Sequence, residues 1–391
     1  MKFIKTILCF CILFSSCLTF GQDKNQSEIE HTIDSKIFEK KRSVKVFLPN
    51  RYHRDSISKY AVTYVLDAQH QIFWDAAKGN IGYMVDNYSV MPMIVVGVVS
   101  DQRGPEFNPK SSKLQEHLAK EVFPLIEKEY RTDSFRAIVG HSWGGAFVGN
   151  TIFSDKRNMF DAYVGISPSF GDKDNVIVKH ADSLLKTKTT FGKYLYFSHG
   201  DVGRREIEFK GYVDSIDSLL TKYPNTTIAW QPRPIKSVGH WQIVGPSICD
   251  GLISMSRNYF ADQKVMEDLA KKPNSDLAKE VTLFNKKQKA TFGYVHEASA
   301  GYLNFVANDF KALKDYEIAL VIYTMAIAKK PNHVQIHANV SDLYDKMGKK
   351  EQAKTMFLKT KKLLDEQKSD FSENYYKNTS EWIDEMLAGY D

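Results

Sequence analysis

The sequence predicts an α/β fold, with a mostly parallel sheet and helices on both of its faces, followed by an all-α helical region. Between residues 36 and 262, short apolar runs alternate with helical patterns, as in parallel strands joined by crossover helices. From about residue 300 onward, apolar residues recur at helical spacing. The chain has 391 residues, 43% hydrophobic and 26% charged, which fits two or three globular domains and excludes a disordered or coiled-coil protein.

Seven apolar runs predict the strands of the sheet. Residues 44–48 alternate weakly between apolar and polar and end at Pro49, as an antiparallel edge strand would. Several other runs are apolar on both faces, which favours strands buried beneath helices. An amphipathic pattern over residues 114–130 predicts a helix that Pro124 kinks. The remaining predicted strands are 61–66, 93–99, 136–139, 162–166, 194–198 and 227–230.

The N-terminus has the pattern of a secretion signal. Two lysines precede an apolar stretch that is short for a membrane span and ends at Gly21. We therefore predict a signal peptide over residues 1–21 and an exported protein, periplasmic or extracellular. In an alternative interpretation, Cys17 is lipidated and anchors the protein to a membrane. After cleavage Cys249 is the only cysteine left, so the fold cannot rest on an internal disulfide.

The C-terminal part of the chain differs in pattern from the α/β region. We assign residues 22–262 to the α/β domain, residues 263–299 to a lysine-rich linker and helix, and residues 300–391 to helical repeats. A period of 34 residues is typical of tetratricopeptide repeats, in which small and aromatic residues interlock paired helices. Two units are fewer than the about three that usually stack alone, so we expect them to lean on a neighbouring element. The matching pairs are Val306 and Val340, Phe310 and Tyr344, Ala319 and Ala353, and Tyr323 and Phe357.

The strongest chemical signal is the sequence GHSWGG at residues 140–145, between a predicted strand and a predicted helix. This order predicts a nucleophile elbow, a tight turn whose glycines remove clashes and leave the Ser142 hydroxyl clear of the sheet. The following helix directs its N-terminus at the serine, where positive partial charge stabilises an oxyanion. The backbone N–H of Trp143 is therefore one predicted oxyanion donor.

A catalytic serine needs a base and an orienting acid. Enzymes built on this elbow place them in the chain order serine, acid, histidine. His240 follows the last predicted strand, in a loop with a glycine just before it, and is the predicted base. The acid belongs in the loop after residues 194–198, where both Asp201 and Glu206 could reach the histidine ring.

Two tryptophans are candidates for the walls of a substrate pocket. Trp241 directly follows the predicted base, which favours a pocket role for it. Trp74 is a further candidate, although core packing is the more common use of such a residue. The Trp143 side chain adjoins the nucleophile and belongs to the same group of aromatic residues.

These stretches resemble the esterase D or enterochelin-esterase-like family of α/β-hydrolases, and more narrowly its exported bacterial members with a C-terminal tetratricopeptide-like region. The resemblance spans about residues 33–367. It is carried by residues 41–49 (KRSVKVFLP), 64–67 (YVLD), 103–109 (RGPEFNP), 239–241 (GHW) and the elbow itself.

The resemblance implies an α/β-hydrolase fold and two further site assignments. The family often has its acid in a G-x-x-E segment, which residues 203–206 (GRRE) match, so it implies Glu206 rather than Asp201. The family also takes one oxyanion amide from the loop after residues 64–67, which corresponds here to the backbone of Gln69. Many members have glycine where this chain has Ala68.

Three functions from different classes fit these residues. The first is an exported serine hydrolase that cleaves carboxylic esters through Ser142, His240 and Glu206 and an acyl-enzyme. The second is an acyltransferase with the same residues, distinguished by alcohol acceptors that divert product from free acid. The third is a binding protein on an inactive hydrolase fold, whose partner binding would be unchanged by loss of Ser142.

The sequence also restricts cofactors and partners. No cysteine and histidine spacing suggests a metal site, and no cofactor is predicted. A net charge of only +6 without an arginine-rich stripe argues against nucleic acid as a partner. Expected partners are a small-molecule, glycan or siderophore ester as substrate, and a protein bound by the C-terminal repeats.

Overall fold

An eight-stranded, mostly parallel sheet organises the part of the chain described by the computed structural model, which comprises residues 27–54, 58–171, 175–187, 190–259, 263–272, 274–295 and 297–390. The strand order is β1-β2-β4-β3-β5-β6-β7-β8, with β1 and β2 antiparallel and all strands from β3 onward parallel. The strands are β1 (Ser27–Ser35), β2 (Lys40–Leu48), β3 (Tyr60–Leu66), β4 (Met93–Val98), β5 (Thr132–His141), β6 (Ala162–Ile166), β7 (Lys193–His199) and β8 (Ile228–Pro234).

The seven predicted strands are all present, but the predicted edge position was wrong. β2 is antiparallel as expected, yet it lies between β1 and β4. The edge belongs to β1, whose alternating charged and apolar residues (SEIEHTIDS) suit a strand with one solvated side. Strands β3, β4, β6 and β7 are buried along their whole length, as the two-sided apolar runs predicted.

Helices cover both faces of the sheet and form two hydrophobic cores. Val65 of β3 packs with residues of α2 and α9 on one face, whereas Tyr64 packs with residues of α5, α6 and α8 on the other. This division follows from the alternation of side chains along a strand. The helices of this part are α1 (Asn50–Arg54), α2 (Gln71–Asp86), α3 (Arg103–Glu106), α4 (Lys113–His117), α5 (Phe123–Glu129), α6 (Trp143–Ile152), α7 (Val176–Thr187), α8 (Arg204–Lys222) and α9 (Val244–Tyr259).

The predicted kink near Pro124 takes the form of a π-helical segment, Leu118–Val122, between α4 and α5. Proline has no N–H to donate to the carbonyl four residues earlier, so the hydrogen-bond ladder must adjust there.

The C-terminal part is entirely helical among its described residues and contains two helix pairs offset by 34 residues. The second pair begins at Val334 and Lys350, and the first at Ala300 and Tyr316. Val306, Val340, Tyr323 and Phe357 are buried where the pairs interlock. The tetratricopeptide assignment stays a prediction. The helices are α10 (Gln263–Ala270), α11 (Leu277–Phe292), α12 (Ala300–Ala312), α13 (Tyr316–Lys329), α14 (Val334–Lys346), α15 (Lys350–Glu366) and α16 (Glu373–Ala388).

The helical region packs directly on the α/β domain. The Tyr294 hydroxyl donates to Asp133 Oδ2 over 2.8 Å, and the Tyr294 ring lies 4.5 Å from the ring of Phe135. Apolar residues of α10 to α14 belong to the same core as those of α2 and α9. The two helix pairs therefore pack against a neighbouring element, whether or not they are tetratricopeptide units.

None of the helices formed by the described residues has the length and apolar character to cross a bilayer. The predicted signal peptide, including Cys17, lies outside the described residues.

We predict that limited trypsin digestion cuts the 263–290 stretch after Lys271, in the exposed turn between α10 and α11. The two fragments should stay together in native size-exclusion chromatography, because buried Met266 and Val281 pack in one core with residues of both parts. Denaturant should separate them, and Lys271→Gln should block the cut. Fragments that separate without denaturant would contradict the shared core.

Candidate active site

Ser142 lies in the sharp turn between β5 and α6 and adopts φ 60° and ψ −114°. This positive φ is strained for a residue with a side chain, as expected of a nucleophile elbow. A Cβ at Gly140 would collide with the carbonyl of Gly144, so only glycine permits this close return of the chain.

Backbone hydrogen bonds hold the elbow in place. The Ser142 N–H donates to the Ile166 carbonyl at the end of β6, over 2.9 Å. The Ser142 carbonyl accepts from the N–H groups of Ala146 and Ser169, each over 3.0 Å. The serine is thus fixed to α6 and to the loop after β6, and its side chain remains partly exposed.

His240 lies in the loop between β8 and α9, with its side chain only 9% exposed. Its Nδ1 is 2.8 Å from Glu206 Oε1. Because a carboxylate only accepts, Nδ1 carries the proton, and Nε2 is left as the basic nitrogen of the neutral ring. An imidazole held in this tautomer is suited to take a proton from a serine hydroxyl.

Glu206 lies in the first turn of α8 and is fully buried. Its Oε2 accepts hydrogen bonds from the Gly200 N–H, over 2.6 Å, and from the Ser167 hydroxyl, over 2.8 Å. Burial favours the neutral acid, but the hydrogen bonds from His240, Gly200 and Ser167 outweigh it and lower the pKa of Glu206 below its usual value. The carboxylate is therefore ionised at neutral pH.

The Gly200 position has no room for a side chain. A Cβ there would collide with the Val238 carbonyl and press against the Glu206 side chain. The absence of a Cβ lets the loops after β7 and β8 approach each other and lets the Gly200 N–H reach the carboxylate.

Asp201, the alternative acid, points elsewhere. Its Oδ1 accepts from the Ser237 N–H over 2.7 Å, and its own N–H donates to the Val238 carbonyl over 3.2 Å. Ser237 has a φ of 62°, so Asp201 stabilises an unfavourable turn of the His240 loop. The structure thus brings Glu206, and not Asp201, against the histidine ring.

His141 is a site residue that sequence reasoning missed. Its Nε2 lies 2.8 Å from the His240 carbonyl oxygen, to which it must donate, and its ring lies 4.4 Å from the ring of His240. Burial, reinforced by the neighbouring His240, lowers the pKa of His141 to about 3, so the ring is neutral. The sequence shows that His141 directly precedes the serine, but it does not show that His141 hydrogen-bonds to a carbonyl 99 residues further along the chain.

The backbone amides of Gln69 and Trp143 are the predicted oxyanion donors. Within the described residues neither N–H has a hydrogen-bond acceptor, so both are available to a ligand. The Gln69 side chain fixes its own loop, donating to Asp67 over 2.9 Å and accepting from the Ser100 N–H over 2.9 Å. The side chain of Asp67 is held in turn by two hydrogen bonds from Arg103, of 2.6 and 2.8 Å.

Two cavities flank the nucleophile. The larger cavity, about 710 Å³, has His141, Gln69, Phe73 and Trp241 in its wall. The smaller cavity, about 270 Å³, borders Trp143 instead. Trp241 lines the larger cavity, and its role in substrate binding stays a prediction.

Trp74 is a core residue, so the predicted pocket role was wrong. It is fully buried, and its indole N–H donates to Glu28 over 3.0 Å. The neighbouring Phe73 faces the larger cavity instead. One step along a helix turns a side chain by about 100°, which the sequence pattern around α2 did not resolve.

Acidic, histidine and cysteine side chains do not gather into a metal-binding group of three or more anywhere in the described residues. The candidate site combines a serine, two histidines, a carboxylate and backbone amides.

Comparison with known proteins supports the fold and the esterase character. Residues 35–171 match the family model named Esterase. An IroE-like serine hydrolase from Shewanella oneidensis is 16% identical, with a TM-score of 0.61, over 77% of this chain and 99% of its own. An uncharacterised Capnocytophaga ochracea protein is 12% identical, with a TM-score of 0.61, over 93% of this chain and 99% of its own.

The enterobactin esterase of Shigella flexneri is 15% identical, with a TM-score of 0.50, over 60% of each chain. No curated protein matches by sequence. The family match confirms the predicted resemblance to esterases, and the structural neighbours confirm the α/β-hydrolase fold.

We predict that Glu206→Gln lowers kcat on the order of 10⁴-fold, because the amide can no longer fix the histidine tautomer and stabilise the imidazolium. Asp201→Asn is the matched control and should keep most of the activity, since an amide oxygen can still accept from the Ser237 N–H. Both are measured as kcat on an activated ester. If Asp201→Asn lost most of its kcat while Glu206→Gln kept it, Asp201 and not Glu206 would be the orienting acid.

We predict that His141→Leu lowers kcat roughly tenfold, because the His240 carbonyl loses its donor and the base is held less firmly. His141→Gln keeps a donor of similar reach and should restore most of the turnover. Steady-state kinetics should show the loss in kcat rather than KM, measured well below the melting temperature of each variant. Equal losses in both variants would rule out the role of the hydrogen bond.

Proposed function

We propose that this chain, which resembles esterases of the enterochelin-esterase type, is an exported serine esterase that works through Ser142, His240 and Glu206. The observation that carries the proposal is the contact of His240 Nδ1 with a buried, ionised Glu206, in a loop beside a strained serine elbow. This is the arrangement required to activate a serine as a nucleophile. The family match over residues 35–171 supports ester hydrolysis as the reaction.

In the proposed first step, the Ser142 hydroxyl attacks the ester carbonyl while His240 Nε2 takes its proton. The charge that develops on the carbonyl oxygen is stabilised by the N–H groups of Trp143 and Gln69 and by the N-terminus of α6. Glu206 stabilises the imidazolium that forms and stays ionised itself.

In the second step, the imidazolium gives its proton to the leaving alkoxide, and the alcohol departs from an acyl-Ser142 intermediate. Water then attacks this intermediate, with His240 again as the base, and releases the free acid. The chain supplies the nucleophile, the base, the orienting acid and the oxyanion donors. The proton of Ser142 passes through His240 to the leaving alkoxide, and the proton of the attacking water passes through His240 back to the Ser142 oxygen.

Siderophore esters are the first substrate group to test. The Shigella flexneri neighbour is an enterobactin esterase, and its fold overlaps 60% of this chain. The N-terminal signal pattern supports a site of action outside the cytoplasm.

We predict that a fluorophosphonate probe labels the purified protein and that Ser142→Ala abolishes the label. The same variant should lose esterase activity to a remainder of roughly 10³-fold over the uncatalysed rate, supplied by the oxyanion donors and binding alone. His240→Ala should fall about as far, because nucleophile and base act as a unit. Chelators should leave the rate unchanged.

Cys249→Ala is the control, since this thiol lies in α9 and lines neither cavity. If the folded wild type takes up no label and cleaves no activated ester, the esterase proposal is wrong and a binding role replaces it.

A further inference from the structure

Arg103 lines the larger cavity and contacts Trp143, which lines the smaller one. The Arg103 guanidinium carbon lies 5.6 Å from the centre of the Trp143 ring. Arg103 borders the larger cavity, and the next residue, Gly104, borders the smaller one. Ser142 stands in the chain between His141, which lines the larger cavity, and Trp143, which lines the smaller one, so an ester bound at its hydroxyl can reach both.

The larger cavity adjoins the base. Trp241, Val244 and Gly245, which follow His240 in the chain, form part of its wall, and so does His141, whose ring contacts that of His240. The smaller cavity adjoins the nucleophile helix instead. It is bordered by Trp143 and Ala146 of α6, and no described residue of the His240 loop contributes to it.

This difference distinguishes the two halves of an ester. When the carbonyl oxygen lies between the Gln69 and Trp143 amides, the acyl group and the alcohol group leave the reacting carbon in different directions. The alkoxide must accept its proton from His240, so the alcohol lies on the side of the base. The acyl group then occupies the side of Trp143.

We infer that the larger cavity binds the alcohol and the smaller cavity the acyl group, which makes the substrate an ester of a compact acid with a bulky alcohol that has an apolar or aromatic face. This inference rests on the proposed function and adds the substrate class.

The sizes and linings of the cavities support the assignment. Phe107, Phe170 and Ile177 line the smaller cavity and are at least 97% buried, and its volume of about 270 Å³ against about 710 Å³ leaves less room for an acyl group than the larger cavity leaves for an alcohol. Both cavities open to solvent, and the rim of the larger one carries Trp241, which is 72% exposed, and Ile72, which is 88% exposed. Exposed aromatic and aliphatic surface beside polar Gln69 suits an alcohol with an apolar face.

Two matched substitutions test the assignment. Ala146→Leu fills the smaller cavity, and Ala76→Leu, on α2, narrows the larger one. The substrates are ethyl acetate, ethyl hexanoate, 1-naphthyl acetate and 1-naphthyl hexanoate. Comparing each variant with the wild type on the same ester cancels the intrinsic reactivity of that ester.

We expect Ala146→Leu to lower kcat/KM for both hexanoates roughly tenfold more than for the acetates, whichever alcohol they carry. Ala76→Leu should lower it for both naphthyl esters roughly tenfold more than for the ethyl esters, whichever acid they carry. The assignment would be overturned if Ala146→Leu discriminated against the naphthyl esters and Ala76→Leu against the hexanoates. An equal loss of kcat/KM on all four esters in both variants would also overturn it.

A third variant keeps the test independent of misfolding. Ile177→Val enlarges the smaller cavity at a modest cost in stability. It should raise the hexanoate to acetate ratio of kcat/KM above that of the wild type, and an unchanged or lower ratio would count against the assignment.

Failure of the assignment and failure of the proposed function give different results. A wild type that takes up the fluorophosphonate label but cleaves none of the four esters would overturn the assignment alone. A folded wild type that neither takes up label nor cleaves any ester would overturn the proposed function.

Discussion

A buried carboxylate stays charged only when hydrogen-bond donors surround it, and this requirement joins the loops of the candidate site. Glu206 is fully buried and accepts from Ser167 after β6, from Gly200 after β7 and from His240 after β8. An unpartnered charge at such a depth costs several kcal/mol. Moving any of the three loops would leave the carboxylate short of a donor, so they hold one another in register.

A second buried carboxylate, Glu106, holds in place the loop that carries Arg103, on the Gln69 side of the candidate site. Glu106 is 4% exposed and accepts from both terminal nitrogens of Arg42 and from the Ser100 hydroxyl, each over 2.8 Å. It thereby fixes the loop in which Arg103 reaches across to Asp67, at the end of β3. The predicted oxyanion amide of Gln69 is two residues beyond Asp67, so its position depends on a chain of ion pairs that begins on β2.

Sequence reasoning succeeded where the controlling interactions are local and failed where they are not. The elbow could be predicted because strand, glycines and helix follow one another within a few residues. His240 and Glu206 followed from chain order and a resemblance, and the structure brings them together. The contact of His141 with a carbonyl 99 residues away has no local signature. Trp74 was misplaced because Phe73 faces the cavity while the next residue of the same helix, Trp74, faces the core, which composition alone does not resolve.

The helical region also bears on the site, through α2. The first turn of α2 lines the larger cavity, while Met84 and Val85 near its end share a core with Leu303 of α12. Beyond the helix, the Tyr88 ring lies 5.8 Å from that of Phe305 and 6.1 Å from that of Tyr302. The two helix pairs thus pack against the helix that also forms part of the wall of the larger cavity. The same apolar contacts that stabilise the pairs therefore restrain α2, so the helical region is part of the scaffold on which the candidate site is built.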